Sequence, residues 1–298
     1  MKIAITGANG LVGQHLAKEL LHRGYTVIAT GKGADRNQFS DPRYIYYDVN
    51  IEDAFQLHDV LFEHRPDTLV HAAAITQIDD CETNRKHCEA VNEKGTMNAL
   101  ASAELYCGHF IFLSTDFVFD GTKGNYLEED KLNPVSFYGE TKIKGEAMVK
   151  QSKIPWTIMR TCLVYGNAIT GTRSNIISWV KQSLEQKKSI NVVCDQVRTP
   201  TYVEDLIKGI ILAIEKRAGG VFHISGKDRL TPYEMAIKTA AYFGLDEGLI
   251  NKVDASSFTQ PARRPPITGF DITKAREVLG YEPLSFEEGL AAMYPLKF

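Results

Sequence analysis

A doubly wound parallel α/β sheet with a smaller C-terminal lobe is the fold that the sequence predicts. Three observations predict it. Short β-rich runs alternate with helical patterns through the first half, a strand, a glycine-rich loop and a helix come first, and the alternation loosens after Gly166. Strict alternation demands right-handed crossovers, which set the strands parallel and put helices on both faces. The 298 residues, 44% hydrophobic and 24% charged, can bury a substantial core in one large domain or two associated ones. A formal charge of -3 leaves no electrostatic footprint for nucleic acid or an anionic membrane.

The first strand, residues 2–6, lies in "MKIAITGANG", where one lysine precedes a short apolar run broken by Gly7. That pattern is a strand and not a signal peptide. The loop "ITGANGLVGQHL" follows and opens a helix over 11–23. Gly7 permits the tight turn, Gly10 lets the backbone approach a pyrophosphate, and Gly13 lets the helix pack on the strand with its N–H groups aimed at phosphates. Asn9, Leu11 and Val12 share this loop and are taken with the glycines as cofactor-binding residues of a Rossmann-type site.

A second strand, 26–30, runs into "IATGKGADR". No acid stands beside Thr30, whereas Lys32 and Arg36 are close, and a cation without a carboxylate favours a 2′-phosphate. NADPH is therefore expected over NADH, with Asp35 as the carboxylate that could still turn inward. The third strand, 44–47, ends at Asp48 and Val49, where the acid either accepts from an adenine amine or caps the turn. After a helix over 51–64 comes the strand 68–71 and "VHAAA", whose Ala72, Ala73 and Ala74 let a cofactor lie across the carboxyl edge of the sheet.

A helix is expected over 85–106 and a strand over 110–114, the latter ending at Ser114, Thr115 and Asp116. Then "SFYGETKIKGE" sets Tyr138 and Lys142 four residues apart, on one helix face. Hydride reduction of a ketone builds negative charge on the carbonyl oxygen, which must then receive a proton. A free phenol, pKa near ~10, is a sluggish acid, and an adjacent ammonium stabilises its phenolate. Thr115 would donate to the substrate oxygen and orient it. The alternatives are a strand cap for Thr115 and an exposed helix face for Tyr138 and Lys142.

Beyond a strand at 156–161, helices are expected over 175–186, 203–215, 231–243, 272–279 and 286–293, with strands at 190–193 and 221–224. "TQPARRPPITG", residues 259–269, cannot be helical throughout. These boundaries give a nucleotide-binding domain of 1–161 and 189–222 and a substrate-binding lobe of 162–188 and 223–298. Five cysteines (81, 88, 107, 162 and 194) are scattered and odd in number, which suits a reducing cytoplasm. Cys81, His87 and Cys88 fit no common zinc spacing and read as thiols and an imidazole on a helix, with no metal. No run approaches the ~20 apolar residues of a membrane helix.

"STDFVFDGTKGNYLEEDKLNPVSFYGETKIKGE", "RTCLVYG", "DQVRTPTYVEDL" and "RRPPITGFDITKAREVLGYEPLSFEEGL" together resemble the dTDP-4-dehydrorhamnose reductase family of extended short-chain dehydrogenases/reductases. The resemblance implies NAD(P)H-dependent reduction of a nucleotide-linked 4-keto-6-deoxysugar. It also implies Thr115, Tyr138 and Lys142 as catalytic residues, a nucleotide-sugar partner and a homodimer. Thr76, Asp116 and Phe117 are expected at the substrate, and Asn175, Gln196, Arg198, Arg263 and Arg264 are the candidates for the nucleotide-sugar side, because a diphosphate needs cations or amides. Two departures bear on the pocket: Leu163 stands where the family has tryptophan, and Arg198 and Thr199 where it has a small residue. The same resemblance extends to the regulatory β subunit of methionine adenosyltransferase and, among enzymes, to nucleotide-sugar 4-epimerases.

Overall fold

The computed structural model describes residues 1–170 and 175–295. The first half runs β1 (Lys2–Thr6), α1 (Leu11–His22), β2 (Thr26–Gly31), β3 (Tyr44–Asp48), α2 (Ala54–His64), β4 (Thr68–His71), α3 (Ile78–Thr83), α4 (Arg85–Cys88), α5 (Gly95–Tyr106), β5 (Phe110–Thr115), α6 (Phe137–Lys150) and β6 (Trp156–Thr161). The second half adds β7 (Val164–Tyr165), α7 (Ile176–Glu185), β8 (Ile190–Val193), β9 (Thr201–Tyr202), α8 (Val203–Lys216), β10 (Gly220–His223), α9 (Pro232–Phe243), β11 (Ile250–Val253) and α10 (Phe286–Met293).

Seven strands form one parallel sheet in the order β10-β6-β5-β4-β1-β2-β3. Side chains alternate across it, as the two-residue period of a strand requires. Ile3, Ile5, Val27, Ala29 and Ile111 join a core with Leu16 and Leu20 of α1 and Leu206, Ile210 and Ile214 of α8. Ala4, Ile28, Phe110 and Phe112 face the other way, onto Leu57 and Leu61 of α2, Ala99 and Ala103 of α5 and Val149 of α6. Both faces are covered, which is why these strands read as continuous apolar runs. The fold is the expected Rossmann-type doubly wound sheet.

A smaller cluster lies apart, built from Val180 and Leu184 of α7, Ile190 and Val192 of β8, Ala236 and Ala240 of α9 and Ile250 of β11. Its two strands, β8 and β11, pair only with each other. Residues 190–193, grouped by the sequence with the nucleotide-binding domain, thus belong by pairing to the second half.

Other differences have local causes. The helix expected over 85–106 is preceded by α3, whose polar "IDDCET" shows no apolar period, and is interrupted by a π-type turn at Glu89–Lys94. The element expected over 272–279 is mostly a π-type turn, Ala275–Leu279. Cys81 and Cys88, expected as separate thiols, are joined as a disulfide with Cα atoms 5.1 Å apart, because the break between α3 and α4 turns the two residues toward each other. Among the described residues no helix is long and apolar enough to cross a membrane.

Candidate active site

The glycine loop sits at the carboxyl end of β1, in the middle of the sheet. Gly7 has φ +74°, and a Cβ there would lie 2.8 Å from the Ala73 nitrogen. A Cβ on Gly13 would come within 2.3 Å of the Gly7 carbonyl oxygen, so side chains are excluded where a phosphate must approach. Gly10 is the N-cap of α1 and offers no side-chain cap, leaving first-turn N–H groups for a ligand. Thr6 Oγ1 accepts from the Ala73 nitrogen (3.2 Å) and bonds His71 Nδ1 (2.8 Å), which holds the Ala72–Ala74 turn against the loop. Burial pushes the His71 imidazole down to about 3, with Lys142 adding to the effect, so the ring is neutral. These residues fit a dinucleotide.

Around the adenosine end the expectations divide. Lys32 is largely exposed and lies 3.9 Å from Glu52, and Arg36 is exposed. Asp35 is turned away: its Oδ1 accepts from Tyr44 Oη (2.9 Å) and from the Asn37 nitrogen (2.9 Å). Asp48 Oδ1 accepts from the Gly33 nitrogen (2.7 Å), so it caps this turn. Val49 is buried in the core beneath it. Asn9, expected at the cofactor, spends its amide on Tyr46 Oη (2.9 Å), the Ala34 carbonyl (3.1 Å) and the Arg36 nitrogen (3.0 Å). It ties the glycine loop to the loop after β2. Leu11 and Val12, in the first turn of α1, are half-buried.

Tyr138 and Lys142 lie one turn apart on α6, and Thr115 ends β5. Ser136 caps α6 by accepting from the Gly139 nitrogen (3.3 Å). A Cβ on Gly139 would fall 2.2 Å from the Phe117 carbonyl oxygen, so only glycine lets α6 close on the end of β5. Tyr138 is thereby buried edge-on to Phe117, with ring centroids 6.0 Å apart. Burial raises its phenol above the ordinary value and the charge on Asp116 adds to this, while a hydrogen bond with Thr115 opposes both. Lys142 is also buried, its Nζ 4.1 Å from the centre of the Phe112 ring. Burial pushes its amine down to about 7, against the attraction of Glu146.

Beneath them lies a network that the sequence did not announce. Glu146 takes both arms of Arg160 (2.8 and 2.7 Å) and the Ser114 hydroxyl (2.7 Å), all fully out of solvent. Burial alone would raise the Glu146 carboxyl, but Arg160 and Ser114 hold it below the usual carboxylate range. The signal was present: Glu146 stands four residues after Lys142, on the same face of α6.

Several expected sugar-nucleotide contacts are engaged elsewhere. Arg198 is not a free cation. It is 5% exposed, and its guanidinium donates to the carbonyls of Val197 (2.8 Å), Pro265 (2.7 Å) and Pro266 (3.0 Å), because the proline-rich segment presents acceptors whose β-type pairing is incomplete. Gln196 Oε1 accepts from Arg198 Nη2 (3.4 Å). Asn175 is the N-cap of α7, accepting from Ser178 (2.9 Å) and donating to the Gly166 carbonyl (2.7 Å). Arg264 forks onto Asp79 of α3 (2.7 and 3.2 Å), pinning the 262–268 segment across α3. Arg263 is exposed, with no side-chain partner among the described residues. Thr76 is exposed and lines a polar cleft of about 470 Å³ with Asp80, Thr83, Asn84 and His87. Leu163 is 42% exposed, at φ +41°, where the family's tryptophan would stand.

A family model described as RmlD substrate binding domain matches residues 1–296. The chain belongs to that family. A probable low-salt glycan biosynthesis reductase, Agl14, of Haloferax volcanii is 29% identical over 97% of this chain and 96% of its own. The methionine adenosyltransferase 2 subunit beta of Bos taurus is 30% identical over 94% of this chain and 82% of its own. A solved dTDP-4-dehydrorhamnose reductase from Bacillus anthracis, in complex with NADP, superposes with a TM-score of 0.85 at 28% identity, covering 98% of both chains. This RmlD-like chain is thus a member of an oxidoreductase family that acts on sugar nucleotides.

Proposed function

We propose that the protein reduces a nucleotide-linked 4-keto-6-deoxysugar with NADPH, most directly dTDP-4-dehydrorhamnose to dTDP-L-rhamnose. What supports this reading is Thr115 at the end of β5 in hydrogen-bond contact with Tyr138, with Lys142 one helical turn further along α6 and all three buried. Gly7, Gly10, Gly13 and Ala72–Ala74 would hold the cofactor, whose reduced nicotinamide supplies the hydride. Lys32 and Arg36, with Asp35 already bonded, support the 2′-phosphate form. Thr115 orients the ketone oxygen, and Tyr138, kept protonated by burial, delivers the proton as charge develops there. An ammonium at Lys142 stabilises the phenolate left behind. The seven-stranded sheet serves the cofactor, and the segments around α7, β8, α9 and β11 serve the sugar. Arg263 remains available to the diphosphate.

A second reading is favoured by the regulatory relative: an NADP-binding subunit of another enzyme. Incubation with dTDP-4-keto-6-deoxy-L-mannose, followed by NADPH absorbance with Tyr138→Phe as control, separates the two. No oxidation of NADPH with dTDP-, GDP- or UDP-linked keto sugars sinks the reductase. C4 inversion without net cofactor consumption points to an epimerase.

A further inference from the structure

Asp116 is a carboxylate at 2% exposure, one residue past the ketone-orienting Thr115, and such a buried charge must be balanced. Its Oδ1 accepts from Thr115 Oγ1 (3.1 Å) and its Oδ2 accepts from the Thr268 hydroxyl. The one cation beside it among the described residues is Arg198, whose Nε lies 3.7 Å from Oδ2. Four other contacts fix that guanidinium: three backbone carbonyls and Gln196. It also sits over the Phe117 ring, 5.8 Å from its centre, and Phe117 in turn meets Tyr138 edge-on. The charged and titratable groups facing this point are Tyr138 of α6, Cys162 just beyond β6, and Arg198 itself.

We propose that Arg198 is a positioning residue for the proton donor: it neutralises Asp116, which weakens that carboxylate's hold on the Thr115 proton and lets it turn to the ketone oxygen, and it shields Tyr138 from the carboxylate's charge. This rests on the reductase reading of the site. The cation belongs to the loop before β9 and the carboxylate to the end of β5, so the substrate-side loop sets the electrostatics of the acid. An uncompensated Asp116 disfavours the phenolate, whereas an uncompensated Arg198 favours it.

The test uses the full-length protein and a double-mutant cycle read in turnover. Turnover falls about 10-fold in Arg198→Met but less than about 2-fold when the same change is made in an Asp116→Asn background, as expected for coupled neighbours. Arg198→Lys, which keeps the charge, restores most of the loss. KM for NADPH stays within about 2-fold of wild type, since Arg198 does not touch the cofactor site. Equal costs of Arg198→Met in the two backgrounds overturn the proposal and leave Arg198 a clamp on residues 265–266. Should Arg198→Met lose its fold, the same cycle with Arg198→Gln decides. Wild-type protein without keto-sugar turnover would sink the reductase reading, while the same cycle read in urea midpoints would still test the pairing.

Discussion

The two sides of the cleft handle charge in opposite ways. On the cofactor side Lys32 and Arg36 are exposed, and their neighbour Asp35 is satisfied by Tyr44 and Asn37. On the substrate side Arg198 and Arg264 are consumed by the protein itself, one by carbonyls and Asp116, the other by Asp79. The cofactor cradle comes from contiguous backbone: β1, a glycine turn and the start of α1. The wall proposed for the substrate is assembled from β5, α3, the loop before β9 and the 262–268 segment, pieces far apart in sequence. A local cradle can leave its cations at the surface, Lys32 beside Glu52 at 3.9 Å, because neighbouring backbone and side chains such as Asn9 shape it without them. A wall built from distant pieces must use its cations as ties.

The strongest way to sharpen this contrast is Tyr138→Phe. It should lower kcat/KM for the keto sugar by about 10² to 10⁴, the usual worth of a general acid, while NADP affinity measured by calorimetry changes little. A comparable loss in cofactor affinity would mean that the two sides are not separable.

Glu146→Gln cuts the network that supports both sides. Leaving Arg160 buried without its partner should cost about 3–5 kcal/mol, read as a lower midpoint in urea unfolding. An unchanged midpoint would show that the two helix–strand layers hold without it.

Replacing Lys32 and Arg36 by alanine should weaken NADPH binding about 10- to 100-fold and leave NADH nearly untouched, since charge-assisted bonds to a phosphate contribute on the order of 1.5–3 kcal/mol. Equal losses for both cofactors would remove the 2′-phosphate assignment.

A further effect concerns pH. The Lys142 amine is depressed from 10.5 to about 7 in the fold, so between those values the unfolded chain binds the extra proton. Stability of the unliganded protein should therefore rise with pH across that window, by at most about 1.4 kcal/mol per pH unit. Below about 7 both states are charged and the cost of burying the ammonium is fully present. Lys142→Met should flatten the slope; an unaltered slope would place its origin elsewhere.

How much of this was legible in advance follows the same divide. The strands of the sheet announced themselves by apolar runs, and the glycine loop by its place between strand and helix. Tyr138 and Lys142 were legible because four residues is one helical turn. Helix α3 was not, since "IDDCET" lacks an apolar face, and its hold on the site comes through Asp79 and Glu82, which bond residues 264 and 137. The capping role of Asn175 was not singled out for a physical reason: an asparagine before an apolar run serves a helix N-terminus as readily as a ligand.

By itself, then, the sequence determined the doubly wound sheet, the glycine loop and the pairing of Tyr138 with Lys142 on one helix face, all of which depend on periodicity or on residues within one turn. Only the tertiary structure decided which charges are free. Whether Arg198, Arg264 or Asp35 meets solvent, a ligand or its own chain depends on what the fold brings within about 4 Å, the range over which opposite charges pair. The contacts of Arg198 with Pro266 and of Arg264 with Asp79, 68 and 185 positions apart, leave no periodic trace in the sequence.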